Sequence, residues 1–455
     1  MSRLALTIAV TALASGCPGH AGPINPSLTK ALTGADNLAA DYKAFLDAGR
    51  TPMHAIDHVL AVGGFKRVDI SKPPEKVSPG DRLAFVGRDR SMLLVVVGDG
   101  RLDEVGFRMI GAHIDTPAPR LLLAGLKRAS QTKLKARRYG GLKSFQWQNR
   151  PLAIVGSVAT ATGEVRIELG LHDDFVFWGQ LVGKDLTITT SSTPTGAKDG
   201  FPNLVSELNR RYGLTADDLE AAELYLVPTT RARDVGLDRA FIGAHGQDDR
   251  SNSYIAWRAL LDFDGTPKAT AISWLVDREE IGSTGSTGAQ SQFLELVIAY
   301  LLRSQHEQVT EAIMHRTFAA SEILSSDTPA CVNPNWSEAH ELTNAPHAGK
   351  GPAIFPYTGR GGKVGGSAAS AQLIARVRAT FATAKQPLQH GLLGHVDRGG
   401  GGTIAKYLAH RGAEVIDLGV CVISMHSPLE LVARSDLWAL YVGLKAWFGE
   451  RNPPR

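Results

Sequence analysis

Apolar and polar positions follow two rhythms along this chain. Near the start, Gly34–Leu46 and Pro52–Val62 carry apolar residues three or four apart, which predicts two helices. Met92–Val97 and Arg108–Ala112 are short, continuous apolar runs of the kind found in buried strands, the second ending at His113. From about Ala118 to Ala222 the rhythm changes. There Leu152–Val158, Val165–Leu169 and Leu186–Thr190 are β-branched and apolar runs parted by turn residues, with one helical stretch near Pro202–Tyr212. Helices and strands then alternate. Helices are predicted over Ser251–Phe263, Ala289–Leu302, Ser370–Ala384, Gly402–His410 and Ser427–Phe448, and strands over Ala271–Val276, Phe318–Leu324 and Glu414–Leu418. Strands alternating with helices predict an α/β fold, a sheet flanked by helices on both faces. A β-rich insertion interrupts it. The expected organisation is a leader over 1–22, a first α/β part over 23–117, the insertion over 118–238 and a second α/β part over 239–455.

Length and composition narrow the class. At 455 residues the chain exceeds what one simple core holds, in keeping with an interrupted domain. A hydrophobic fraction of 43% and a charged fraction of 21% exclude disordered and fibrous classes. A net charge of +4 lacks the basic field of a nucleic-acid binder. Three cysteines, Cys17, Cys331 and Cys421, are too few for a disulfide framework, and no CxxC pair is present. The first residues read differently from the rest. One basic residue precedes the apolar run Leu4–Ala14, which has the dimensions of a signal-peptide core, with Ala12-Leu13-Ala14 as a small-x-small cleavage site. Export to a periplasmic, secreted or lipid-anchored location is the expectation, with acylation at Cys17 as a variant and a cytoplasmic chain as the alternative. No later stretch reaches the ~18 apolar residues of a membrane span.

Ligand-type residues recur where strands give way to loops, the place where open α/β sheets gather ligands. His113 and Asp115 follow the run ending at Ala112, and an acid two residues after a histidine can fix its tautomer. Asp248 and Asp249 stand at a helix entry, where one of them can also act as an ordinary cap. Glu279 and Glu280 follow the strand Ala271–Val276. Adjacent acids at a strand end repel one another unless a cation or solvent intervenes; one of such a pair can bind metal while the other serves as general base. Asp327 and His426 close two further segments. Carboxylates mixed with imidazoles suit zinc, manganese or cobalt. No GxSxG elbow or phosphate-binding P-loop is present, His340-Glu341 lacks the second histidine of the helical zinc motif, and the glycine runs Gly282–Gly288 and Gly399–Gly402 lack a dinucleotide fingerprint.

Taken in order, these segments resemble the aspartyl aminopeptidase family of co-catalytic zinc peptidases, especially its bacterial branch. The matching segments are Gly111–Pro117, Tyr139-Gly140-Gly141, Gly246–Arg250, Asp277–Thr284, Ser325-Ser326-Asp327, Asn344-Ala345-Pro346, Gly349-Lys350-Gly351-Pro352 and Ser424–Ser427. The resemblance implies a zinc-peptidase-type mixed sheet whose insertion is a dimerisation domain, and assembly from dimers into dodecamers. It implies two zinc ions per chain, with cobalt or manganese as substitutes. His113, Asp248 and Asp327 would hold one, and Asp248, Glu280 and His426 the other. Glu279 matches the general base, Asp115 the acid that orients the first histidine, and Lys350 a substrate-binding position.

Two departures bear on specificity. Phe145 stands where aspartyl-specific members carry a histidine, and Phe355 stands about where they carry a second lysine. The preferred first residue is therefore open between acidic, neutral and basic. The expected activity is hydrolysis of the N-terminal bond of peptides with a free N-terminus. The alternatives are a related zinc amidase, such as an N-acyl amino acid deacylase or carboxypeptidase, and a non-catalytic exported scaffold. Cleavage of free-amine against N-blocked peptides separates the first alternative, and loss of a ligand residue would mark the second.

Overall fold

The computed structural model describes residues 26–72, 76–122, 133–173, 175–182, 185–189, 204–361, 364–392 and 401–450. The leader, Cys17 and the first half of the Gly399–Gly402 run lie outside them. Among the described residues a nine-stranded sheet forms the frame. Its strand order is Lys66–Val68, Arg82–Gly87, Ser91–Val96, Thr270–Val276, Phe107–His113, Glu322–Ser325, Glu414–Gly419, Ala353–Phe355 and Gln389–His390. The strands Thr270–Val276, Phe107–His113, Glu322–Ser325 and Glu414–Gly419 run parallel, so their carboxyl ends share one edge. Both faces of this sheet are covered, which explains the continuous apolar runs. Along Phe107–His113, Phe107 and Met109 enter one core while Ile110 and Ala112 enter the opposite one, following the two-residue period of a strand.

Helices Pro26–Ala48, Pro52–Val62, Gln247–Leu261, Ala371–Thr383 and Arg434–Gly449 supply the first core, and Phe293–Leu302, Glu311–Ala319 and Ala405–Ala409 the second. The helix Pro52–Val62 starts where sequence signals place it. Thr51 accepts from the His54 N–H, and Pro52 occupies the first turn. No helix among the described residues is long and apolar enough to cross a membrane.

Among the described residues, strands between Ala118 and Pro228 build a seven-stranded antiparallel sheet. Ala222–Pro228 pairs with both Ala118–Leu121 and Pro151–Thr160, which closes the sheet into a barrel around Trp147, Leu152, Ile154 and Leu226. A third, four-stranded sheet runs in the order Arg233–Val235, Phe241–Ala244, Glu430–Ala433 and Val422–Ile423.

Several predicted elements need correction. Ser427–Phe448 is not one helix: Glu430–Ala433 is a strand, and the helix begins at Arg434. Helical periodicity in that stretch is overridden by pairing on both sides, with Phe241–Ala244 and with Val422–Ile423. Phe318–Leu324 divides likewise. Phe318 lies in the last turn of the helix Glu311–Ala319, which Thr310 caps, and the strand starts at Glu322. The helices expected from Ala289 and Gly402 begin later, at Phe293 and Ala405. Cys331 and Cys421 form a disulfide, a pairing not foreseen from three cysteines.

Candidate metal centre

Parallel strands deliver most of the acidic and imidazole groups to one place. His113 ends the strand Phe107–His113, Glu279 and Glu280 follow Thr270–Val276, and Asp327 follows Glu322–Ser325. Asp248 enters from the third sheet, through Phe241–Ala244 and the turn at Gly246. That turn needs glycine: φ is +77°, and a Cβ would stand 1.8 Å from the Arg250 guanidinium. Arg250 is fully buried, its guanidinium bonded to the carbonyls of Gly49, His245 and Gly246, so it fixes the loop that presents Asp248. His426 enters from the neighbouring strand Val422–Ile423.

The six groups converge. His113 Nε2 lies 3.3 Å from Asp248 Oδ1, 3.6 Å from Asp327 Oδ1 and 4.0 Å from Glu279 Oε2. His426 Nε2 lies 3.1 Å from Asp248 Oδ2 and 3.5 Å from Glu280 Oε1. Ligand atoms of His113, Asp248 and Asp327 fall within 4.8 Å of one another, as do those of Asp248, Glu280 and His426. Asp248 belongs to both groups, offering a different oxygen to each histidine.

Asp115 organises one side of the cluster. Its carboxylate accepts the Glu279 N–H at 3.1 Å, the Glu280 N–H at 3.2 Å and the Tyr139 hydroxyl at 2.9 Å. His113 Nδ1 sits 2.9 Å from the Asp115 carbonyl and 3.3 Å from its carboxylate, which turns Nε2 toward the other acids. Tyr139 reaches in from the barrel, together with Gly140 and Gly141. The Gly141 backbone hydrogen-bonds the His426 ring, and a Cβ on Gly141 would lie 2.8 Å from Nδ1.

Charge in the cluster is out of balance without a cation. Burial, with the nearby Asp327 charge, pushes Glu279 up to about 8, and burial together with Asp248 pushes Glu280 well above the carboxylate range. Burial favours a neutral His113 ring, yet the Asp327 charge and bonds to three carboxylates overcome it and raise the group. Asp248 Oδ1 and Glu280 Oε1 are buried with no hydrogen-bond partner. Orphaned carboxylate oxygens facing imidazoles fit divalent cations, which would meet the unpaired lone pairs and relieve the repulsion.

The other expected residues lie apart. Lys350 is exposed on a turn whose flanking Gly349 and Gly351 N–H groups are each held at 2.8 Å by buried Asp436; its ammonium group has no ion-pair partner among the described residues. Phe145 is 65% exposed at a short helical turn of the barrel. Phe355 is buried in the frame sheet, paired with Asp417.

Two groups in the cluster escaped the sequence reading. Tyr139 was part of a matched segment without a role. Glu430 accepts the His426 N–H at 2.5 Å and the Asp248 N–H at 3.2 Å, and was obscured by the helix expected over that stretch. Burial and the neighbouring Asp248 charge push Glu430 up to about 8, and its two N–H donors oppose that shift. The signal available in the sequence was a lone acid opening the apolar run Leu431-Val432-Ala433.

Comparison with known proteins identifies the family. The family model of aminopeptidase I zinc metalloproteases (M18) matches residues 45–174 and 180–448. A probable M18 family aminopeptidase 1 of Borrelia garinii is 32% identical over 444 residues, covering 91% of this chain and 96% of that protein. The M18 aminopeptidase of Thermotoga maritima superposes with a TM-score of 0.84 at 30% identity, covering 91% of this chain and 96% of that one. The fold extends to the S. cerevisiae mApe1 dodecamer, at a TM-score of 0.74 and 22% identity, with coverage of 90% and 96%. This chain belongs to the M18 family of aminopeptidase I zinc metalloproteases and is a hydrolase of the metalloaminopeptidase class.

Proposed function

We propose that the chain removes single residues from the N-terminus of peptides, using two zinc ions and Glu279 as general base. The observation that carries this reading is the pair of ligand groups sharing Asp248, with Glu279 Oε2 beside them. His113, Asp248 and Asp327 would hold one ion, and Asp248, Glu280 and His426 the other. Zinc bound there supplies Lewis acidity toward the scissile carbonyl and the attacking water.

The chain's own groups move the proton. Glu279 takes it from the attacking water and passes it to the leaving amine, so the carboxylate is restored in each cycle. The Asp115 carboxylate holds Glu279 in place by accepting its N–H at 3.1 Å. The surrounding acids complement the free α-ammonium of a substrate, which explains attack at the first peptide bond. Family membership favours this over the deacylase, carboxypeptidase and scaffold readings.

In the same proposal the 118–238 segment mediates pairing of chains, and the dimers assemble further. The mApe1 dodecamer supports this through a shared fold. Lys350 is assigned to substrate contact on the motif alone. Export of the chain is supported by the Cys331–Cys421 bond, since disulfides persist in oxidising compartments; the mass of the mature N-terminus tests it.

The decisive experiment is zinc analysis with Glu279→Gln. Wild-type protein should bind two zinc ions per chain, and chelation should abolish cleavage of free-amine but not affect already inert N-blocked peptides. The variant should keep both ions and lose about 10²–10⁴-fold in kcat. Near-full activity would remove Glu279 as base, and a stoichiometry below two would remove the two-ion scheme.

A further inference from the structure

We propose that Glu430 is a positioning residue that locks the site shared by Asp248 and His426, through the backbone rather than the side chains of those two groups. The assignment rests on the ligand reading above and adds a residue to it. The third sheet provides the reason. Its strand Glu430–Ala433 lies between Phe241–Ala244, which leads into Asp248, and Val422–Ile423, which leads into His426. Glu430 is the first residue of that middle strand, paired with Ala244, and only 1% exposed. One carboxylate oxygen accepts the His426 N–H at 2.5 Å and the other the Asp248 N–H at 3.2 Å. A single buried group therefore sets the distance between two segments 178 residues apart in the chain.

The His426 end needs such a hold. Its φ is +64° and that of Ser424 is +63°, in the left-handed region that non-glycine residues seldom occupy. The ring is gripped on its far side by the Gly141 backbone, but the main chain beneath it is tied by Glu430. Two ligands of the Asp248–Glu280–His426 group depend on this carboxylate, against one of the His113–Asp248–Asp327 group. Loss of Glu430 should therefore weaken one ion far more than the other.

Glu430→Gln tests this with little change of shape. An amide offers one acceptor and one donor, so its NH₂ must confront either the Asp248 or the His426 N–H. Full-length protein stripped with chelator is titrated with zinc against a chromophoric competitor. Wild type should show two binding steps, and in Glu430→Gln one step should weaken 10–100-fold while the other changes much less. The absorption of the second cobalt equivalent should shift as well. Asp436→Asn is the control, because Asp436 also receives two backbone N–H groups, from Gly349 and Gly351, in a buried setting away from the cluster. It should lower the melting temperature and leave both zinc steps in place. If Glu430→Gln fails to accumulate as folded protein, Glu430→Asp keeps the carboxyl group with its two acceptor oxygens, shortens the reach by one methylene, and should show the same selective loss. Two unchanged steps overturn the assignment. So does an equal weakening of both, or the same loss in Asp436→Asn, either of which reduces Glu430 to general scaffolding. Wild-type protein taking up fewer than two zinc ions overturns the two-ion reading itself, and this assignment with it.

Discussion

Breaking the bond between Cys331 and Cys421 should lower stability by an amount set by the chain it encloses. The cross-link closes a loop spanning 90 positions in sequence, from just beyond Asp327 to just before His426. Restricting the unfolded chain over a loop of that length stabilises the folded state by about 4–5 kcal/mol at 25 °C in the chain-entropy description. A chain of this length has an unfolding entropy near 1 kcal/mol per degree, at ~2.1 cal/mol/K per residue, so the expected fall in melting temperature is about 5 °C. Folded-state packing around the bond should change little, because backbone hydrogen bonds already join the two segments. The Cys331 N–H donates to the Val422 carbonyl at 2.9 Å, and the Val422 N–H to the Pro329 carbonyl at 2.8 Å. The assay is calorimetry of chelator-treated Cys331→Ser/Cys421→Ser beside wild type, with thiol counting before and after reduction by a phosphine. Wild type should reveal two additional thiols on reduction and melt about 5 °C above the variant. A difference below about 1 °C, in protein whose cysteines are shown to be paired, would refute the reasoning from loop closure.

Two further outcomes follow from the geometry. Tyr139→Phe removes the hydroxyl that donates to Asp115 at 2.9 Å and keeps the ring against Tyr225, so it should weaken zinc affinity by about tenfold, measured by chelator competition; unchanged affinity would confine Tyr139 to packing. His245 is fully buried, and burial together with the Arg250 charge pushes it down to about 3, so it stays neutral in the fold while the unfolded chain takes up a proton below about 6.5. Its contribution is therefore intact above that pH and is lost on acidification, at up to about 1.4 kcal/mol per pH unit. The unfolding free energy of His245→Gln between pH 6 and 4 should have a slope smaller by nearly one proton, and equal slopes would contradict the shift.

The sequence disclosed the parts of this molecule in which local pattern and tertiary setting agree. Strands such as Phe107–His113 and Thr270–Val276 are buried on both faces, so their apolar runs are unbroken and end in ligand-type residues at the shared edge. The β-rich character of the insertion was legible from its short strand spacing, although its strands Lys133–Tyr139 and Phe177–Val182, and Arg82–Gly87 in the frame sheet, were not singled out. Where the two disagree, the pattern misled. Glu430–Ala433 has the makings of a helix start and becomes a strand because it fills a gap between two others. That error concealed Glu430. Side chains acting on backbone groups of distant residues leave no spacing signature, and for that reason Asp115 was visible as a neighbour of His113 while its hold on Glu279 and Glu280 was not. The cysteine pair had the same character: its two members meet only because strand ends carry them together.

Gly140 and Gly141 touch groups that belong to the frame. A side chain on the first would crowd Glu280 and Pro117, and one on the second would crowd His426. The barrel is thus no detachable module hung beside a finished enzyme, since Gly140 and Gly141 press against Glu280 and His426. A version of this chain trimmed of the barrel would retain every acid and imidazole of the cluster, yet leave His426 and Asp115 each bereft of a neighbour. Swapping barrels between related chains should succeed only when that pair of glycines, and the tyrosine before them, travels with the graft.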